Sequence, residues 1–341
     1  MSDGNADLLA AAEAIRRCAA SGGTLALMCH VSPDGDALGS MLAFHHLALS
    51  QGVASVASFP HPFTVAAHYR SVPGIELLTD SSDYPSAPPL VITFDCGSVQ
   101  RLVELGVPAE SARVGGELIV LDHHATNDRY GSINVVNTKA AATAVVVRAL
   151  ANELGWPLTR DAATCLYVGL VTDTGRFQFS CTDPSVFELA AELASFGLPI
   201  SRLNRELFDE HSYAYLRLAA RVLGRAILDC ERELIYTHVT QDDLAEFGVD
   251  YDEVEGLIEW VRSANEAEVA IIYKEALDGV RVSMRSLSKV DIGALAVSLG
   301  GGGHIRAAGF TMSAPLAEVH AAVINGLDAL SASSASSVAA H

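Results

Sequence analysis

The chain has 341 residues, half of them hydrophobic and 18% charged, an ordinary globular composition that excludes disorder over most of its length. Its 41 Asp and Glu exceed its 22 Lys and Arg by 19, so the overall field repels long duplex nucleic acid, and any nucleic-acid contact has to be local. No apolar run reaches the roughly 18 residues that span a bilayer, and MSDGNADLLAAAEAIRR has no basic segment leading into an apolar one; a cytoplasmic protein with no membrane partner is expected.

Along the first half, short apolar runs (TLALMC, VASVASF, LVITF, ELIVL) alternate with helical patterns such as ALGSMLAFHHLAL, which predicts β-α units around a largely parallel, doubly covered sheet. From Ala140 to Leu223 the pattern turns helical. One helix there has Asp183 as N-cap, Pro184 at its first position, Val186, Leu189, Ala190 and Leu193 on one face and Gly197 as its stop. After Gly224, strand candidates AILDC and LIYTHV, a helix with Val254, Leu257, Ile258 and Val261 on one face, and strands EVAIIYKE and GVRVSMRS predict a second α/β domain. The expected fold is therefore α/β: a parallel-sheet domain over residues 1–200, a helical linker over 201–223, a smaller α/β domain over 224–330, and a frayed tail, SASSASSVAAH, over 331–341. Cys18, Cys29, Cys96, Cys165, Cys181 and Cys230 are scattered and suggest neither a disulfide nor a zinc site.

In an open parallel sheet, ligands bind beyond the carboxyl ends of strands, and here TLALMC runs into His30, LVITF into Asp95 and ELIVLD into His123. HVSPDGDALGS adds Asp34 and Asp36 on a Pro/Gly turn, and YVGLVTDTG ends in Asp173, read as a fourth strand end. Two divalent cations about 3.5 to 4 Å apart need a bridging carboxylate with separate ligands on each side. Asp95 can bridge, His30 can complete one shell, His123 and Asp173 the other, and Asp34 and Asp36 can face different ions. Four carboxylates then balance two divalent charges. Oxygen and imidazole donors without thiolate favour manganese, with iron, cobalt or zinc as alternatives. Taken singly, Asp34, Asp36 and Asp95 also fit turn and N-cap roles, whereas Asp122, His123 and His124 side by side are hard to satisfy without a ligand.

HVSPDGDALGS, TFDCGS, LDHHATN and GLVTDTG, in this order, resemble the successive motifs of the DHH phosphoesterase family, and GGGGHIRAAGF resembles the signature of its associated substrate domain. The likeness runs from about residue 24 to 312 and is strongest to the branch that cleaves short oligoribonucleotides and 3′-phosphoadenosine-5′-phosphate, whose actinobacterial members are also described as hydrolysing cyclic di-AMP or its linear product. The resemblance implies His30, Asp34 and Asp95 on one manganese and Asp36, Asp95, His123 and Asp173 on the other. It leaves His124 to touch the scissile phosphate and makes Asp122 the support of the histidine loop. VNTKAAATA departs from the family's usual Asp-Pro and Ser-Ser-Thr stretch, which puts supporting contacts from Asn137 and Thr143 in doubt, and Arg176 stands where the family has a small residue.

In the second half, Arg281, Ser283 and Arg285 alternate with Val280, Val282 and Met284, so one strand face presents two guanidinium groups that could grip phosphate or simply face solvent. Gly300 to Gly303 before His304 lacks the Lys-Ser/Thr of a nucleotide-triphosphate loop. Its amides, Gly302 and Gly303 among them, could cradle a terminal phosphate, or the run could be a hinge. The resemblance favours ligand binding for Arg285 and His304; Arg262, ending GLIEWVRS, is a further candidate. The expected enzyme hydrolyses short RNA, linear di-adenylate or cyclic di-AMP to 5′-mononucleotides, and 3′-phosphoadenosine-5′-phosphate to AMP and phosphate, as a homodimer. A manganese pyrophosphatase or exopolyphosphatase, a RecJ-like exonuclease and a catalytically silent nucleotide sensor are the alternatives.

Overall fold

The computed structural model describes residues 3–338, and the chain divides into two compact units between Glu210 and His211. The first unit contains α1 (Asp3–Ala20), β1 (Leu25–Cys29), α2 (Gly35–Ser50), β2 (Ser55–Ser58), β3 (Leu90–Phe94), α3 (Gly106–Gly115), β4 (Glu117–Asp122) and β5 (Ile133–Val136). It ends with α4 (Thr143–Leu154), α5 (Arg160–Asp173), α6 (Pro184–Ala194) and α7 (Ile200–Asn204). The five strands are parallel, in the order β2-β1-β3-β4-β5. Every residue of β1 is buried because its alternate side chains feed two cores, Leu25, Leu27 and Cys29 on one face and Ala26 and Met28 on the other. That double burial produces the unbroken apolar runs seen in the sequence.

Helices α2 and α5 meet backbone to backbone. A Cβ on Gly39 would lie 2.4 Å from the Cys165 carbonyl oxygen, and one on Gly169 would lie 2.6 Å from Asp36 Oδ1. This contact sets the start of α2 beside the end of α5, with Gly35 against Thr172. Helix α6 begins as its sequence predicts: the Asp183 carboxylate accepts from the Ser185 and Val186 amides, and Pro184 occupies a position whose missing N–H costs nothing.

The second unit contains α8 (Tyr213–Gly224), β6 (Ile227–Asp229), β7 (Leu234–Val239), α9 (Gln241–Phe247), α10 (Leu257–Val261), β8 (Val269–Ala276), β9 (Gly279–Ser286), α11 (Ile292–Ser298), β10 (Gly302–His304), β11 (Ala307–Met312) and α12 (Leu316–Val338). Its sheet runs β10-β11-β9-β8-β7-β6, with β7 and β8 parallel and the other pairs antiparallel. One face, through Ile271, Tyr273, Val282 and Met284, packs with α11 and α12; the other, through Ala270 and Ile272, packs with α8 to α10.

Three expectations change here. The stretch 201–223 is not one helical linker, because α7 passes into a wider π turn, Arg205–Asp209, and the unit boundary follows before α8 starts at Tyr213. The glycine run is neither loop nor hinge in its second half: Gly302–His304 is an edge strand on β11. A Cβ at Gly301 would fall 2.1 Å from the Gly309 carbonyl oxygen, so glycine is what permits the approach. Beyond Leu330, where a tail was expected, α12 continues to Val338, since an established helix extends through Ala and Ser at little cost; residues 339–341 lie outside the described residues. No helix among the described residues is long and apolar enough to cross a membrane.

Candidate metal centre

Because β1, β3 and β4 are neighbours, His30, Asp95 and His123 follow one another along the carboxyl edge of the first sheet, at the point where the strand order reverses. Two local devices aim them. Asp95 leaves β3 in the left-handed region at φ 53°, and Ser32 does the same at φ 50° between His30 and Asp34. Asp34 caps α2 by accepting the Asp36 and Ala37 amides on Oδ1, which leaves Oδ2 at 4.0 Å from His30 Nε2. The N-cap and ligand readings of Asp34 are thus compatible: the cap uses Oδ1 and leaves Oδ2 for an ion.

Two clusters result, His30 with Asp34 and Asp95, and Asp36 with His123 and Asp173; within each, one donor atom per residue lies within 4.8 Å of the others. Asp95 presents Oδ2 to His30 Nε2 at 3.8 Å and Oδ1 to His123 Nε2 at 3.5 Å, so its two oxygens address different clusters. Asp173 Oδ2 is 3.2 Å from His123 Nε2. Asp173 does not end a strand. It is the last residue of α5, and it arrives through the α2–α5 contact rather than through the sheet.

The donor set fits divalent cations. His30 Nε2 is buried with no hydrogen-bond partner, and the carboxylate oxygens facing it stand off at 3.8 and 4.0 Å, too far for a hydrogen bond and suited to donors sharing an ion. Its Nδ1 lies 2.8 Å from the Val31 carbonyl oxygen, and His123 Nδ1 lies 3.1 Å from that of Ala140. Each carbonyl calls for Nδ1–H, which leaves the Nε2 lone pair pointing inward. The Arg101 guanidinium also sits 2.9 Å from His30 Nδ1; with that proton committed to Val31, Arg101 contributes charge there. Burial and Arg101 together lower His30 to about 4, so its ring is neutral.

Crowded, desolvated carboxylates show the electrostatic cost. Burial, then the Asp95 charge, pushes Asp36 up to about 7, and burial followed by Asp36 raises Asp173 well above the ordinary carboxylate range. Asp36 is partly compensated by the start of α4: the Thr143 amide donates to Oδ2 at 2.5 Å and the Ala144 amide to Oδ1 at 3.0 Å, while Ser40 Oγ donates to Oδ1. Thr143 Oγ1 also donates to Asp95 Oδ1 at 2.9 Å. Support from Thr143, in doubt from its unusual sequence context, is therefore present, whereas the Asn137 side chain turns back to accept the Lys139 amide.

Asp122 falls in a further group, with Asp95, His123 and His124, whose donor atoms also lie within 4.8 Å of one another. Its Oδ1 accepts the His123 and His124 amides and lies 2.7 Å from His124 Nδ1, and Asn127 donates to Oδ2. Burial alone would raise Asp122, but its hydrogen bond with His124, that ring's charge and Asn127 hold it near about 2. Reciprocally, burial works against His124, yet the Asp95 and Asp122 carboxylates push it up to about 9. Arg176 is engaged elsewhere in this unit, pairing with Asp209 at 3.3 Å over the Phe208 ring.

In the second unit, register sets His304 opposite Ala307, Ala307 opposite Arg285, Gly302 opposite Gly309 and Gly309 opposite Ser283. Directly paired residues share a face, so His304, Gly302, Ser283, Arg285 and Arg281 lie on one side of the sheet; Gly303, at φ 134°, alternates to the other. Arg262 follows α10 and joins Arg285 through Glu259. Sequence reasoning missed Arg101, Glu255, Glu259 and the wholly buried Lys274, whose ammonium pairs with Glu255. An acidic residue in a chain this acidic carries no pattern to find it by.

Comparison with known proteins matches this architecture. The DHH family, N-terminal domain, matches residues 24–170, and the DHHA1 domain matches residues 232–330. A bifunctional oligoribonuclease and PAP phosphatase, NrnA, of Thermus thermophilus is 35% identical over 292 residues, spanning 85% of this chain and 84% of the relative. The NrnA of Bacillus subtilis, given the same description, is 29% identical over 84% of this chain and 88% of its own. An exopolyphosphatase-related protein from Bacteroides fragilis superposes with a TM-score of 0.84 over 94% of this chain and 96% of its own, at 22% identity, a likeness of fold.

Proposed function

The chain belongs to the DHH family, and from that premise we propose that it is a metal-dependent phosphoesterase that hydrolyses short oligoribonucleotides, linear di-adenylate among them and cyclic di-AMP left open, to 5′-mononucleotides, and 3′-phosphoadenosine-5′-phosphate to AMP and phosphate. The observation that carries this reading is Asp95, one carboxylate with an oxygen toward each of two His-Asp clusters. His30 and Asp34 would hold one cation, Asp36, His123 and Asp173 the other, with Asp95 shared; oxygen and imidazole donors suit manganese. When bound, two such ions would supply charge neutralisation and a water acidified toward neutral pH.

The chain's own residues do the rest. Val31 and Ala140 fix the tautomers of His30 and His123, and the start of α4 holds Asp36. Asp122, with Oδ1 2.7 Å from His124 Nδ1, orients that ring, so His124 can hydrogen-bond a phosphate oxygen or assist the departing one. In the second unit, Arg281, Ser283, Arg285, Arg262, His304 and the Gly302–Gly303 backbone would bind the substrate's other phosphate. The protein works in this reading as a homodimer, to be measured by light scattering.

Turnover with manganese on di- to pentanucleotides, 3′-phosphoadenosine-5′-phosphate, cyclic di-AMP and pyrophosphate tests it. Mononucleotides from the short RNAs and AMP from the bisphosphate are expected. Phosphate released from pyrophosphate but not from the bisphosphate would overturn it in favour of a pyrophosphatase, and binding without turnover in favour of a sensor.

Protons compete with the cations. Burial raises both Asp36 and Asp173 above the ordinary carboxylate range without them, and a carboxylate binds metal only when ionised, so manganese affinity should fall as the pH is lowered. Calorimetric titration between pH 5.5 and 8.5 measures this; a flat profile would mean that these raised carboxylates are not ligands.

A further inference from the structure

One cation reaches the first cluster from behind. Arg101 lies in the segment that joins β3 to α3, and its Nη2 is 2.9 Å from His30 Nδ1. The Nδ1–H faces the Val31 carbonyl oxygen at 2.8 Å, so the ring offers the guanidinium no lone pair and the contact is one of charge. Among the described residues, no carboxylate pairs with Arg101 to take that charge up.

The segment keeps the charge in place. Arg101 donates its amide to the Ser98 carbonyl at 3.2 Å, and its own carbonyl accepts the Val31 amide at 3.0 Å, which ties it to the residue after His30. Leu102 and Leu105 are buried, and Glu104 accepts the His61 amide at 2.7 Å and the Ser81 hydroxyl at 2.6 Å. Between these anchors the exposed Val103 holds φ 44° and ψ −118°, a conformation that suits glycine and strains a β-branched residue. The anchors outweigh the strain, and the guanidinium stays beside His30.

An ion on His30 Nε2 would lie one imidazole ring away from this fixed positive charge. Like charges so close in a half-buried site repel, and after screening by water the repulsion is worth about tenfold in affinity. Resting on the two-cation reading above, we propose that Arg101 weakens the His30–Asp34–Asp95 cluster for its cation, so that this cluster fills last and the free manganese concentration sets how much of the protein carries both ions. Turnover then tracks manganese supply, because Asp95 acts as a bridge only when both clusters are filled.

Calorimetric titration of the metal-free full chain with manganese chloride, at one pH and ionic strength, compares the wild type with Arg101→Gln, Arg101→Lys and Arg113→Gln. Arg113 is on α3 and pairs with Glu110, so its loss removes the same overall charge away from the centre. In Arg101→Gln the weaker of the two binding steps should tighten about tenfold, with the tighter step within about twofold of wild type. Arg101→Lys, which keeps the charge, and Arg113→Gln should stay within about threefold of wild type at both steps. Circular dichroism melting checks that each variant folds. The manganese concentration for half-maximal turnover on short RNA should fall in Arg101→Gln by the same factor as the weaker Kd. An unchanged or loosened weaker step, a shift of the tighter step instead, an equal shift at both, or the same tightening in Arg101→Lys or Arg113→Gln would overturn the proposal. A wild type that takes up a single ion would overturn it together with the two-cation reading. If the shift appears in a protein that cleaves nothing offered, the phosphoesterase reading fails by itself and the role of Arg101 stands.

Discussion

Asp95→Asn is expected to lower kcat on short RNA by about a thousandfold or more, because the amide removes the charge shared between the two clusters and with it several kcal/mol of transition-state stabilisation. The fold should survive. Asn tolerates the left-handed backbone found at this position, φ 53°, and the amide that donates to the Leu121 carbonyl at 3.0 Å is unchanged. Steady-state kinetics, a thermal melt within a few degrees of wild type and a fall in bound manganese from two ions to one by elemental analysis are the measurements. Full activity in this variant would refute the bridging role.

The second large effect is on stability. In Gly39→Ala the new methyl would sit 2.4 Å from the Cys165 carbonyl oxygen and 2.9 Å from the Gly169 amide nitrogen, so α2 and α5 must separate. Overpacking against backbone on both sides should cost about 3 kcal/mol and lower Tm by about 10 °C. Gly224→Ala is the control. Nothing lies within 4 Å of its Cβ position, at the end of α8, so the change should be neutral or stabilise by about 0.5 kcal/mol. Equal melting temperatures for the two variants would mean that the α2–α5 contact is not tight. Because Asp36 and Asp173 are brought together by this contact, weakened manganese binding should accompany the loss at Gly39.

Much of the first site was legible because geometry and sequence share a rule: doubly buried strands are unbroken apolar runs, and the residue that ends each run lies on the carboxyl edge. His30, Asp95 and His123 could be read that way. Asp173 was found by the same rule for a wrong reason. Helix α5 is buried over most of its length, so its sequence shows no polar face, and a short apolar run does not distinguish a buried helix from a buried strand. Arg101 and Thr143 were less visible, since their contacts depend on segments folding back from outside the strands. The second unit was read only halfway. Alternation placed Arg281, Ser283 and Arg285 on one face, but Glu255 and Glu259 belong to another element, and no spacing along the chain couples them to those arginines. Glycine misled for a physical reason: it signals loops because it is permissive, and at Gly301 it serves instead to let a strand approach the Gly309 carbonyl.

With φ at 53°, position 95 also limits how such a chain can drift. Aspartate, asparagine and glycine settle there comfortably, while branched or bulky replacements strain the turn and unsettle the sheet edge. A descendant that lost this carboxylate yet kept its shape would therefore carry Asn or Gly at that spot, each one base change from an aspartate codon.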